Sequence, residues 1–199
     1  MALFVSLWIK LFFVLTPFFG LTMFLTMTEG DDAGRRRRLA FTVSAAVAVI
    51  ALVLFFAGRQ LFSVFGITLD SFRIGAGVLL LLSAVGLVHG NPGSAGAAGK
   101  GDVAVVPLAI PVIVGPATTG VLLVMGAELT AVSAKLVGCL ALVFAVTCVG
   151  LVLLAGASIQ RVLGRRGIAI LSRLTGLILA AMAAQMIMTG VRQFLAAPL

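Results

Sequence analysis

Charged and reactive side chains are scarce in this sequence. Only 10% of the 199 residues are charged, and the chain has six acidic residues, one histidine and two cysteines. So few groups assemble neither a metal cluster nor a Ser-His-Asp triad, and we therefore expect no enzyme, no metal site and no cofactor. Because 62% of the residues are hydrophobic, a soluble domain could not cover its apolar side chains with so few charges. The sequence predicts an integral membrane protein, with the lipid bilayer around it.

Long apolar runs make up most of the chain. Each run approaches or exceeds the roughly 20 residues that a helix needs to cross hydrocarbon. Helices satisfy their own backbone polar groups, which lipid cannot do. The sequence therefore predicts an all-α, polytopic membrane helix bundle of six transmembrane helices, with both termini on one side. The runs are residues 3–27, 39–57, 69–88, 103–125, 132–157 and 168–194.

One connection between the runs differs from the others in composition. Residues 91–101 read NPGSAGAAGKG, which is typical of a flexible linker. We expect this loop to join two three-helix repeats, 1–90 and 102–199, within one membrane domain. A weak similarity supports the division, since Gly66 aligns with Gly167 and Pro17 with Pro116 when the halves are superposed at offsets of 101 and 99. Three helices are an odd number, so the repeats are predicted to be inverted, as in many secondary transporters.

Positive charges are unevenly distributed among the loops. The formal net charge of +8 would suggest a nucleic-acid partner in a soluble protein, but in a membrane protein Lys and Arg near helix ends set the orientation. We therefore expect no nucleic acid, and we predict that loops one, three and five are cytoplasmic and that both termini face outside. The run 35–38 could instead bind anionic lipid or a partner. The cations of these three loops are Arg35, Arg36, Arg37, Arg38, Lys100, Arg161, Arg165 and Arg166.

Prolines inside the first and fourth runs predict broken helices. A proline at membrane depth removes a helical hydrogen bond, and the freed carbonyls and amides can hold a solute, with half-helix N-termini favouring a carboxylate. Kinks that serve packing alone are the alternative. The candidate substrate-binding residues are Thr16, Pro17, Gly20, Pro111, Gly115, Pro116, Thr118 and Thr119.

Three further polar residues are candidates for a solute pathway. Asp70 and Arg73 stand three apart at the start of the third run, a spacing that permits an ion pair. They either line a pathway or anchor the helix by reaching the interface. Gln185 lies in the middle of the sixth run, where it either lines a cavity or bonds a neighbouring helix.

Three strings carry a family resemblance that covers nearly the whole chain. FGITLDSFRIGAGVLLL, VVPLAIPVIVGPATTG and GIAILSRLTGLILAAMAAQMIMTG resemble the signatures of the MarC (UPF0056) family of bacterial inner-membrane proteins. The resemblance implies six helices in the inner membrane and transport of small neutral amino acids such as glycine or alanine. Members usually have Asn before the first proline, where this chain has Thr16, and Gly after the fourth-helix proline, where it has Ala117.

These observations together predict a secondary transporter of small neutral amino acids. The substrate would bind between the broken centres of helices one and four, with H⁺ or Na⁺ as candidate coupling ion and rocking of the two halves as the motion. A homo-oligomer is a candidate assembly. A non-transporting structural or assembly protein and a channel remain the alternatives.

Overall fold

The computed structural model describes residues 1–90 and 108–196, and within these ranges every regular element is a helix. A six-residue π-helical stretch, Leu108–Ile113, precedes α5. The predicted linker 91–101 lies outside the described residues. The structure describes the backbone of Pro111 but not its side chain. The helices are α1 (Ala2–Val14), α2 (Pro17–Met27), α3 (Ala33–Phe65), α4 (Leu69–His89), α5 (Pro116–Glu128), α6 (Val132–Leu154) and α7 (Gly156–Ala196).

Five helical segments of the described residues are long and apolar enough to cross a membrane. They are Ala2–Met27, which contains α1 and α2, and the helices α3, α4, α6 and α7. They correspond to five of the six predicted runs. The other run, 103–125, lies partly outside the described residues, and α5 within it has only 13 residues, of which ten are buried. A helix buried on nearly all sides contacts protein rather than lipid.

Several helices extend beyond the apolar runs that predicted them. α3 begins at Ala33, so the run 35–38 lies in its first turns and not in a loop. The Asp32 carboxylate determines this start, because it accepts hydrogen bonds from the amides of Gly34 and Arg35. At the other end of the chain, the predicted fifth loop is the first part of α7, kinked at Gly164, where φ is +66°. Hydropathy detects the apolar centre of a helix and misses polar turns at its ends.

Nearly all helix packing joins the first half of the chain to the second. α4 packs along α7, α3 and α4 both contact α5, α1 and α3 contact α6, and α2 contacts α7. The two halves can be matched by taking α1 and α2 as equivalent to residues 108–128, α3 to α6, and α4 to α7. Each of these contacts then has an equivalent contact when the halves are exchanged. Within a half the contacts are few. They include α6 with α7 and, in the first half, the rings of Phe62 on α3 and Phe72 on α4, whose centroids lie 4.6 Å apart.

Glycines allow α3 and α5 to approach closely. A Cβ atom added at Gly126 would overlap the carbonyl oxygen of Phe55, and one added at Gly58 would overlap that of Leu123. The two contacts are reciprocal, since each helix supplies one glycine and one carbonyl. Small residues at helix contacts of this kind are typical of membrane bundles, where close van der Waals packing replaces the hydrophobic effect.

We expect Gly126→Ala to destabilise the protein. Its methyl group would collide with backbone, which cannot rotate away, and overpacking of this kind costs about 1–3 kcal/mol. The measurement is the melting temperature of purified protein in detergent, with Gly75→Ala as the matched control. Gly75 is also helical, and a Cβ there meets nothing within 4 Å. Equal melting temperatures for the two variants would contradict the close contact.

Candidate functional site

The first helix is interrupted at Thr16. α1 ends at Val14, Thr16 adopts the left-handed conformation with φ 45° and ψ 57°, and Pro17 is the first residue of α2. Thr16 is the only non-glycine residue with positive φ in the described ranges. A β-branched residue in this conformation costs about 1–2 kcal/mol. The break predicted at Pro17 is therefore present, and the backbone is strained beside it.

A second break precedes α5. The π-helical stretch ends at Ile113, Gly115 is extended with φ −83° and ψ 179°, and Pro116 is the first residue of α5. Pro111 lies inside the π-helical stretch. Both breaks have the same construction, because the half-helix after each break starts with a proline. At this first position an N–H would have no acceptor within the helix, so its absence in proline breaks no hydrogen bond.

The two breaks are in direct contact. The Thr118 hydroxyl donates to the carbonyl of Val14 at 3.1 Å and lies 3.2 Å from the carbonyl of Ile113, so its single proton serves the ends of both preceding half-helices. On the other side, a Cβ added at Gly20 would lie 3.2 Å from Cγ1 of Ile113. The structure thus brings together the predicted residues on α2 and α5, although they are about 100 positions apart in the chain.

The predicted residues differ in their exposure at this junction. Pro17, Gly20 and Thr118 are buried, whereas Pro116 is exposed. The remaining predicted residues with a described side chain are half-buried, namely Thr16, Gly115 and Thr119.

Backbone dipoles of both signs meet at the breaks. The first amides of α2 and α5, such as those of Phe18 and Ala117, have no acceptor within their own helices and give these ends a positive character. The carbonyls at the end of α1 and of the π-helical stretch supply negative character. Residues 11–20 and 108–120 contain no ionisable side chain, so the local field comes from the backbone and from threonine hydroxyls.

Two cavities border different faces of α5. A groove of 930 Å³ between α4 and α5 is bordered by Gly115, Pro116 and Thr119. A smaller cavity of 270 Å³ between α1, α4, α5 and α7 extends from Glu128 to Val121. Val121 is three residues from Thr118, about 4.5 Å along the helix. The junction of the breaks therefore lies between the two cavities.

A buried arginine lines the smaller cavity. Arg73 is 5% exposed and bonds Asp70 at 2.8 Å, Glu128 at 2.5 Å and the side-chain oxygen of Gln193. The ion pair predicted from the spacing of Asp70 and Arg73 is present. Arg73 does not reach outward as an interfacial anchor, because carboxylates from two helices hold it inside the bundle. The interaction joins α4, α5 and α7.

Sequence reasoning missed two members of this cluster. Glu128 lies beyond the predicted run 103–125 but is the last residue of α5, and Gln193 is 120 positions from Arg73 in the chain. Glu128 is the one acidic residue in 108–128, which was the available signal. Gln185 lines the same cavity.

Comparisons with known proteins agree over nearly the full length of the chain. Residues 1–195 match the family described as MarC family integral membrane protein. A UPF0056 membrane protein of Methanocaldococcus jannaschii is 35% identical over 191 residues, which are 92% of this chain and 93% of the relative. The UPF0056 membrane protein YhcE of Escherichia coli is 31% identical over 193 residues, 92% of this chain and 89% of the relative. No solved structure matches this chain.

We expect Thr16→Asn to stabilise the protein. Asparagine tolerates the left-handed conformation better than a β-branched residue, and the gain is about 1 kcal/mol. The measurement is the melting temperature in detergent, compared with Thr22→Asn. Thr22 is an exposed helical residue of α2, where the same change should lower stability slightly. A fall in both variants would argue against strain at Thr16.

We expect Arg73→Met to destabilise the protein by about 1–3 kcal/mol, because it leaves Asp70, Glu128 and Gln193 without their shared donor. The control is Arg192→Met, which removes an exposed arginine of α7 next to the cluster. Thermal unfolding in detergent should separate the two variants by several degrees. If both unfold at the wild-type temperature, the arginine does not join the three helices.

Proposed function

Because this chain belongs to the MarC family of integral membrane proteins, we propose that it is a secondary carrier of small neutral amino acids such as glycine and alanine. The substrate binds where the two helix breaks meet. The observation that carries the proposal is the Thr118 hydroxyl, which bonds a carbonyl from each break. The contact brings the ends of the half-helices on both sides of each break to one point inside the bundle, where their backbone groups can bind a solute.

The junction offers a zwitterion a partner for each of its charges. The amides that begin α2 and α5 attract the carboxylate, and the carbonyls of Val14 and Ile113 attract the ammonium group. The hydroxyls of Thr16, Thr118 and Thr119 add hydrogen bonds. Because neither break contains an ionisable side chain, a solute with net charge would be buried without a counter-ion, which is strongly unfavourable.

The site favours a small solute. Pro17, Gly20 and Thr118 are already buried, and Ile113 lies against Gly20. Glycine or alanine would need little rearrangement, whereas a longer side chain would have to displace Ile113.

An inverted repeat in which residues 108–128 belong to the sixth crossing completes this proposal. The reciprocal pairings of the two halves support it, since exchanging one half for the other leaves the pattern of contacts between the halves unchanged. With six crossings, the excess of arginine near the loops on one side favours a cytoplasmic location for that side and an outside location for both termini.

The helix packing favours a transport motion in which the moving part is not one of the two sequence halves. A half whose helices scarcely touch one another cannot rock as a rigid body, and here almost all contacts run between the halves. We propose instead that the broken elements, α1 with α2 and residues 108–128, shift within a frame of α3, α4, α6 and α7. This motion would open the junction to the two sides of the membrane in turn, with H⁺ or Na⁺ as candidate coupling ion.

Counterflow in proteoliposomes tests the carrier. We expect saturable exchange of radiolabelled glycine and alanine by the wild-type protein, and a loss of about tenfold in Thr118→Val and Thr119→Val, the effect of one lost hydrogen bond of about 1.4 kcal/mol in the site. Thr147→Val is the matched control, because Thr147 is exposed on α6 and its hydroxyl bonds only its own helix.

Thr118 also supports the fold, so each variant's melting temperature accompanies its rate. Thr119 is half-buried and separates the two effects. Wild-type protein that is folded but exchanges no small amino acid would overturn the substrate assignment and favour a structural role. Equal losses of exchange rate in Thr147→Val and Thr119→Val would mean that the substrate does not bind at the breaks.

A further inference from the structure

A cleft of 370 Å³ lies at the arginine-rich end of the molecule, away from the helix breaks. Its walls come from the first turns of α3, the last turn of α6 and the start of α7. Two arginines, Arg36 and Arg37, form one side, and Leu153 and Leu154 form the other. The cleft thus combines cationic and apolar surfaces at the boundary of an apolar bundle.

The arginines of this cleft are not neutralised by neighbouring carboxylates. Arg35 pairs with Asp31 at 3.6 Å, and Arg165 pairs with Glu29 at 2.6 Å. Asp32 is occupied as the cap of α3. Within residues 1–90 and 108–196, Arg36 and Arg37 have no carboxylate partner. The cleft therefore carries two positive charges that no neighbouring carboxylate neutralises.

Arg36 is held in place with part of its guanidinium unused. One terminal nitrogen donates to the carbonyl of Thr28 at 2.9 Å, which ties α3 to the end of α2. Its Nε is buried and has no hydrogen-bond partner in the described part of the chain. A buried donor without an acceptor is unfavourable, so a small shift of this side chain toward a ligand oxygen would be favoured.

Arginine pairs and apolar walls together select the ligand chemistry. Guanidinium groups form paired hydrogen bonds with phosphate oxygens. These charge-assisted bonds are stronger than the hydrogen bonds that a neutral headgroup could accept. Leu154 is partly exposed beside them, while Leu153 is buried, which offers an acyl chain a surface continuous with the bundle. The amides of the first turn of α3 are already capped by Asp32, so the arginines carry the interaction.

We propose that this cleft binds the phosphodiester headgroup of an anionic phospholipid, with an acyl chain along Leu154. The site is separate from the helix breaks and does not depend on the carrier function. It would give the arginine-rich turns of α3 a defined lipid partner in addition to their effect on orientation.

Native mass spectrometry of the full chain in nonionic detergent tests the site. Phosphatidylglycerol should bind at least about tenfold more tightly than phosphatidylcholine with the same acyl chains. The double variant Arg36→Gln/Arg37→Gln should lose this preference. The control Arg161→Gln/Arg166→Gln removes the same charge from exposed residues of α7 outside the cleft and should keep it.

Other outcomes would overturn the proposal. Equal binding of the two lipids, or an equal loss of lipid preference in the two double variants, would mean that the arginines attract lipid only through their overall charge and form no specific site. Inorganic phosphate or glycerol 3-phosphate binding as tightly as the lipid would assign the cleft to a soluble anion. Because Arg36 also ties α3 to α2, the single variant Arg37→Gln is measured as well, and it should lower the preference for phosphatidylglycerol severalfold at an unchanged melting temperature.

Discussion

The need to satisfy backbone polar groups inside an apolar bundle governs this structure. An amide or carbonyl left unpaired in hydrocarbon costs several kcal/mol, and two helix breaks free several such groups at once. The breaks are tolerated because they face each other, with the Thr118 hydroxyl serving the carbonyls of Val14 and Ile113. Pro17 and Pro116 lower the cost further, since each stands where a helix has no acceptor for an N–H.

The surrounding helices shield much of this junction from lipid. α5 is too short to cross a bilayer by itself, and ten of its 13 residues are buried. Reciprocal glycine contacts with α3 hold it on one side, and Arg73 ties its last residue, Glu128, to α4 and α7. The same contacts interlock the two halves of the chain, so that neither half has a core of its own.

Local features of the site could be predicted from the sequence, and distant ones could not. Proline at mid-run has a single steric consequence, so the positions of both breaks followed from Pro17 and Pro116. The left-handed conformation of Thr16 could not be anticipated, because threonine is among the residues least suited to it. The partners of Arg73 were missed for another reason: Glu128 and Gln193 are 55 and 120 positions away, and only the tertiary fold places them together.

The distribution of charge separates the molecule into regions with different tasks. The junction of the breaks contains dipoles and hydroxyls but no ionisable group. The charged residues lie beyond it, many of them in the Arg73 cluster and at the arginine-rich end. A fixed charge beside the breaks would bind an oppositely charged solute tightly and would cost much desolvation energy when the site was empty. Dipoles carry neither penalty, because they are already oriented by their helices. A junction of this kind suits reversible binding of a neutral zwitterion, whereas the fixed guanidinium groups at the ends of the bundle suit ligands that remain bound.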